Sequence, residues 1–147
     1  DGGIAHWGPH GGYVADGELW IAMSDQRHIA RWSPDGRKLG EIPLPGSDPR
    51  MLRPVGKGWV VGHIGGKWPQ DFAFPGYVTF HDHRFRVRSV VGGEPARTDR
   101  RGRLLPLATA ADTPFRHPHD AIVGPDDALY VGQFNSGDQP LLKLERV

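Results

Sequence analysis

Residues 115–147, FRHPHDAIVGPDDALYVGQFNSGDQPLLKLERV, hold three short apolar runs parted by turn formers. Ala121-Ile122-Val123 gives way to Gly124-Pro125-Asp126-Asp127, and Ala128-Leu129-Tyr130-Val131 follows. Asn135-Ser136-Gly137-Asp138 then leads to Leu141-Leu142-Lys143-Leu144. Runs of this length, bounded by Gly, Pro, Asn and Asp, read as strands of an antiparallel sheet. Pro118-His119 marks their start, ten residues before Leu129-Tyr130-Val131-Gly132.

Outward from this stretch the same spacing recurs. Pro9-His10 lies nine residues before Leu19-Trp20-Ile21-Ala22, and Pro49-Arg50 lies nine before Trp59-Val60-Val61-Gly62, an offset of 40. Further strand-like runs are His28-Ile29-Ala30-Arg31-Trp32 and the segment from Arg37 to Ile42, joined through Ser33-Pro34-Asp35-Gly36. Gly76-Tyr77-Val78-Thr79-Phe80 precedes the alternating Phe85-Arg86-Val87-Arg88-Ser89-Val90-Val91, whose period of two gives one core face and one wet face. No window carries a helical period, so the chain is all-β. A unit near 40 residues with about four strands is the arithmetic of a β-propeller blade. The expected blades are 8–46, 47–93 and 115–147 of a single domain, 1–147. Residues 94–114, with Arg97, Arg100, Arg101 and Arg103, form a long polar loop between the last two.

Composition agrees and narrows the function classes. Gly and Pro supply 21 and 14 of the 147 residues, about twice average usage, which excludes long helices and coiled coils. The absence of Cys excludes a disulfide framework, a thiol nucleophile and a thiolate zinc site. A net charge of +1, with no aromatics interleaved in the Arg97–Arg103 run, gives no reason to expect a nucleic-acid partner. No apolar run approaches the roughly 18 residues of a membrane span. No phosphate loop, dinucleotide fingerprint or nucleophile elbow is present. The sequence starts at Asp1 with no apolar leader, which reads as a processed chain, secreted or periplasmic, or as a piece of a longer one; the compartment stays open.

Residues 115–147 resemble the NHL-type repeat of six-bladed β-propellers, with the nearest likeness to bacterial propellers similar to the peptidylglycine amidating lyase domain. The likeness rests on Pro118-His119-Asp120, on the Leu129-Tyr130-Val131 strand and on Lys143-Leu144-Glu145-Arg146-Val147. Residues 9–42 follow the same repeat, and residues 76–93 look like the outer two strands of another blade. The resemblance implies an NHL-type propeller in which three four-stranded blades make half of a six-bladed ring. Two chains would then close the ring by self-association, residues 2–7 of each supplying the fourth strand of the other's third blade. A fragment of a longer propeller protein and a monomeric sandwich are the alternatives.

The candidate site residues follow from the repeat. His10 and His119 occupy matching places at the start of an innermost strand, and Arg50 stands at that place in the middle unit. In the lyase-like propellers His residues at such positions bind a catalytic zinc, so the resemblance implies zinc ligation by His10 and His119; calcium is an alternative ion only for the loops at Asp25 and Asn135-Ser136-Gly137-Asp138, which otherwise read as turns. Arg50 opposes this electrostatically, and the plainer reading has these side chains capping strand starts. Arg50, His63, Trp68 and Asp120 are candidate ligand-binding residues. Trp68 belongs to the insertion Trp68-Pro69-Gln70-Asp71-Phe72-Ala73-Phe74-Pro75, and Asp120 either orients His119 or caps a turn. His81-Asp82-His83-Arg84 reads as a hairpin turn, and Trp20, Trp32 and Trp59 as packing between blades. The leading expectation is a module that binds a small molecule, peptide or protein on its channel face through His10, Arg50, His63 and His119. A metal-dependent lyase or hydrolase, its catalytic residues undefined, and a structural segment are the alternatives.

Overall fold

The computed structural model describes residues 8–64, 75–134 and 136–145. Trp68 with most of its insertion, Trp7 and the segment 2–7 expected to be exchanged lie outside the described residues. Among the described residues three antiparallel sheets follow one another, each a simple meander. The first holds β1 (Pro9–Ala15), β2 (Glu18–Met23), β3 (His28–Trp32) and β4 (Lys38–Pro43). The second holds β5 (Asp48–Val55), β6 (Gly58–Ile64), β7 (Gly76–His81) and β8 (Val87–Val91). The third contains β9 (Pro118–Val123), β10 (Leu129–Gln133) and β11 (Leu141–Leu144), so among the described residues it has three strands, the number expected from this chain itself. First strands contact first strands, β1 against β5 and β5 against β9, which gives the sheets a propeller-like arrangement. No helix among the described residues is long and apolar enough to cross a membrane.

Local chemistry explains the meander. Asp16 and Gly17 join β1 to β2 with φ of 51° and 74°, the paired left-handed conformation whose twist matches a tight hairpin. Glu18 and Arg31, across β2 and β3, form two 2.8 Å hydrogen bonds, and the Arg31 guanidinium lies 4.9 Å from the Trp20 ring.

The core is two interlayer seams, and β6 serves both. Trp59 and Val61 face the first sheet and join Ala22, Ile29, Leu44, Leu52 and Phe85. Val60, one residue along, faces the third sheet and joins Val78, Phe115, Ala121, Leu129 and Val131. The alternation is the period of two of a strand covered on both faces. Trp20 and Trp59 pack at 5.0 Å between centroids, with Phe85 stacked on Trp20 at 5.7 Å. The expected role of these two Trp in interblade packing thus has a contact for each.

Residues 94–114 are polar at the tip but not a detached excursion. Asp99 holds Arg103 through its side chain at 2.7 Å and caps the backbone amide of Arg101 at 2.8 Å. Leu107 is buried, its amide donates to the Pro45 carbonyl at 2.8 Å, and Leu104 packs on the first seam. Apolar side chains placed at the base of an Arg-rich loop return it to the core, a feature that net polarity hides.

Truncating Trp59 removes the ring that Tyr13, Trp20 and Phe85 all touch. Trp59→Ala is expected to lower unfolding free energy by roughly 3–5 kcal/mol in urea titration, whereas Lys57→Ala, two residues away and exposed, should change it by less than about 0.5 kcal/mol.

Candidate functional site

Each sheet begins with the same irregularity. The β1–β2 register slips between Pro9 and Gly12, and the β5–β6 register slips between Pro49 and Leu52. In the third sheet Pro118 pairs with Gln133 and Asp120 with Gly132, leaving His119 as the extra residue. His10, Arg50 and His119 therefore sit in three equivalent bulges. Proline cannot donate to the ladder, and the extra residue after it re-aims its side chain out of the pleat. The matching places inferred from spacing are matching places in space.

The bulges bring three of these side chains into one cluster. A guanidinium N–H of Arg50 donates to His10 Nε2. The His10 and His119 rings meet edge to face at 5.8 Å, and Phe134 lies 6.0 Å from His119. His117, buried with φ of 56°, contacts the Phe134 ring at 5.6 Å and donates from Nδ1 to the Phe134 carbonyl at 3.2 Å. Arg50 is 8% exposed, and its Nε–H is buried with no hydrogen-bond partner among the described residues.

Electrostatics keep the imidazoles neutral. Loss of water around the His10 ring, then the charge of Arg50, hold its pKa down to about 4. Burial and Arg50 likewise lower His117 and His119. Burial also lowers Arg50, while Asp48 and Asp25 act in the opposite sense. Asp48 stands 3.7 Å from Arg27 and is raised by its own burial.

The same arrangement tests the metal expectation. An arginine N–H can only donate, so His10 Nε2 is an occupied acceptor and the proton of this neutral ring sits on Nδ1. His10 thus offers no free lone pair to an ion, and a fixed guanidinium lies where a third ligand would be needed. No group of three His, Asp or Glu among the described residues is arranged to hold a metal. The cluster as built does not fit zinc or calcium.

The other candidates separate from it. Asp120 pairs with Arg53 at 2.6 Å, tying β9 to β5, and its second oxygen accepts from the Ala121 amide. His63 points the other way, into the seam between the first and second sheets. It is fully buried, stacked on Tyr77 at 4.8 Å, and its Nε2 lies 2.6 Å from Thr79 Oγ1. Thr79 continues to His81 Nε2 at 2.7 Å, and His81 Nδ1 ends on the Phe85 carbonyl at 3.2 Å. The terminal carbonyl fixes every proton: His81 donates from Nδ1, Thr79 donates to His81, and His63 donates to Thr79. His81 is therefore a buried strand residue, and the turn expected at His81-Asp82-His83-Arg84 starts one residue later, where Asp82 caps the amides of Arg84 and Arg86. His117 and Phe134 are site components that spacing alone left unassigned. The signal for His117 was its place two residues before His119; Phe134 gave none.

No family model matches the chain, and no curated protein does. Among solved structures it is similar to a Bacteroides caccae protein of unknown function, at 14% identity and a TM-score of 0.43, covering 96% of this chain and 62% of that one. It is also similar to virginiamycin B lyase from Staphylococcus aureus, at 16% identity and a TM-score of 0.44, covering 97% and 57%. A catalytically inactive form of that lyase with quinupristin gives 16% and 0.43, covering 95% and 56%. The chain thus spans less than two thirds of the length of each.

Neutral buried imidazoles make the fold acid-sensitive. Burial lowers His63 well below its ordinary value and His81 from 6.5 to about 4. The unfolded chain takes up these protons first as pH falls, so stability is full above about 6.5 and declines towards 4. Urea titrations are expected to lose roughly 3 kcal/mol over that window from His81 alone. An NMR titration showing His81 protonated near pH 6 in the folded protein would contradict this.

Proposed function

We propose that this chain is an NHL-type propeller module that binds a small molecule or peptide where its three inner-strand bulges converge. One observation carries the reading: His10, Arg50 and His119, from three different sheets, share a cluster whose buried Nε–H has no partner among the described residues. Convergent polar groups on otherwise regular strands are the usual build of a ligand site. A binding module needs no metal, and the occupied lone pair of His10 speaks against the metal-dependent lyase reading. Of the other ligand-binding candidates, Arg50 belongs to this cluster. Asp120 supports it from the adjoining ion pair, and His63 supports the seam behind it.

The proposal includes a six-bladed ring made by two chains. Both terminal sheets leave apolar residues on the face turned away from the second sheet. Val14, with Leu19 and Ile21, lines a shallow depression of about 370 Å³ on the first, while Ile122 and Leu141 are 49% and 61% exposed on the third. Among the described residues β11 pairs on one side only, which leaves an edge for another strand.

Two measurements test these statements. Sedimentation should give twice the 16.2 kDa chain mass, and a folded monomer at micromolar concentration would refute the ring. A fragment screen by amide chemical shifts should yield ligands that perturb Gly11, Met51 and Asp120. His119→Ala should weaken those ligands about tenfold or more while leaving the melting temperature within a few degrees; hits confined to other surfaces would refute the site.

A further inference from the structure

We infer that the cleft between the second and third sheets binds a small aromatic amine, its ring between the sheets and its ammonium at Asp127. The inference stands apart from the three-bulge cluster and rests on how the two seams differ. Gly12 faces Ile21 and Leu52 faces Val61, so Trp20 and Val60 hold the same place in their sheets. Pro49 faces His63 and Pro118 faces Gln133, so Trp59 and Leu129 also correspond. The first seam therefore has two indoles, 5.0 Å apart between centroids, where the second has Val60 and Leu129. What the smaller side chains leave is a cleft of about 440 Å³, the size of a small-molecule site. Val55, Phe80 and Val91 line it from the second sheet, and Val123, Leu129 and Leu144 from the third. All but Leu129 are half-buried, an apolar surface that a flat ring between the sheets would cover.

Charge complements the shape. In the first seam the Trp20 ring lies under Arg31, which Glu18 holds at 2.8 Å, so an acid, a cation and a ring are in contact. Arg31 faces Trp20 across β2 and β3 as Phe80 faces Val60 across β6 and β7, so the second seam has an apolar ring in place of the cation. Acids are present there: Asp127 and Glu145 border the cleft together with Ser89. Glu145 lies 3.4 Å from Lys143, and Asp126 is engaged by Lys143 at 3.1 Å and Tyr130 at 2.9 Å. Asp127, exposed at the turn between them, has no ion pair or side-chain hydrogen bond among the described residues. An occupant that supplies the missing parts carries an aromatic ring and a positive charge, and Phe80 gives that ring a stacking wall. A ring bearing a carboxylate would meet like charge at Asp127.

The test uses the whole chain at pH 7.5 and low salt, with tryptamine as probe and tryptophol and indole-3-acetate as its neutral and anionic counterparts. Tryptamine should give saturable amide shifts at Val55, Phe80 and Leu144. An exposed carboxylate contributes modestly, so tryptamine should bind about three- to fivefold tighter than tryptophol, and indole-3-acetate more weakly than either. Asp127→Asn, at a φ of 59° that asparagine also accepts, should make tryptamine and tryptophol equal. Asp16→Asn, the same change in the first hairpin turn, should bind like the parent. Leu129→Trp, which returns the residue of the first seam, should abolish binding of all three probes. Should that variant fail to fold, the ranking of the probes and its loss in Asp127→Asn decide the matter. Absence of saturable shifts at Val55, Phe80 and Leu144, equal binding of the three probes, or a folded Leu129→Trp that still binds each overturns the inference. None of these outcomes touches the three-bulge site, whose own test reads Gly11, Met51 and Asp120.

Discussion

Neighbouring inner strands meet backbone to backbone, and everything at their starts depends on that closeness. A Cβ at Gly11 would lie 2.6 Å from the Arg50 carbonyl oxygen and would collide with the Met51 side chain. Farther out in the second sheet a Cβ at Gly76, on β7, would collide with the His63 carbonyl of β6 and with the Pro118 ring at the start of β9. Only hydrogen fits at these places, so the sheets come near enough for one side chain from each bulge to touch the next. Ser24 ties the joint further by donating its hydroxyl to the Pro49 carbonyl. A wider spacing would leave His10, Arg50 and His119 as three separate surface groups.

The cluster that results is polar but carries little charge. Imidazoles held neutral by burial and by Arg50 leave the guanidinium as its single cation. Hydrogen bonds to a charged donor in such surroundings are stronger than they would be in water, and unmade ones are correspondingly expensive. The ion pair between Arg53 and Asp120 lies beside the cluster without sharing its charge. Position and protonation are thus both set by how the strands pack.

Much of this arrangement was legible in the residues. Pro9, Pro49 and Pro118, each followed at a similar distance by an apolar run, located the inner strands, because a residue that cannot donate to a ladder is confined to its start or its bulges. The run His28–Trp32 was found with its observed ends, and Leu19-Trp20-Ile21-Ala22 lies one residue inside the ends of β2, since turn formers flank both. What escaped was anything fixed by register. His63 was grouped with the channel residues because it follows an apolar run, yet the period of two sends it to the same face as Trp59 and Val61. Its partners Thr79 and His81 lie on the next strand, and no local pattern announces a cross-strand chain of hydrogen bonds. Arg53 and Asp120 are 67 residues apart, a separation at which only the folded sheet can pair them. Leu107 escaped for the opposite reason, an apolar residue outvoted by the arginines around it.

The alternation along β6 has a further meaning for how the molecule comes apart. Because Trp59 and Val61 belong to one seam and Val60 to the other, the second sheet is, among the described residues, covered by both of its neighbours. An array in which each unit touches only its neighbours behaves as a one-dimensional chain of couplings, with its ends the first to open. The first and third sheets are the ends here. Each can detach by giving up one seam, while the second must give up two. The amides of β6 and β7 will therefore exchange with solvent last, and a partner that covers the outer sheets would slow the whole molecule by closing its ends.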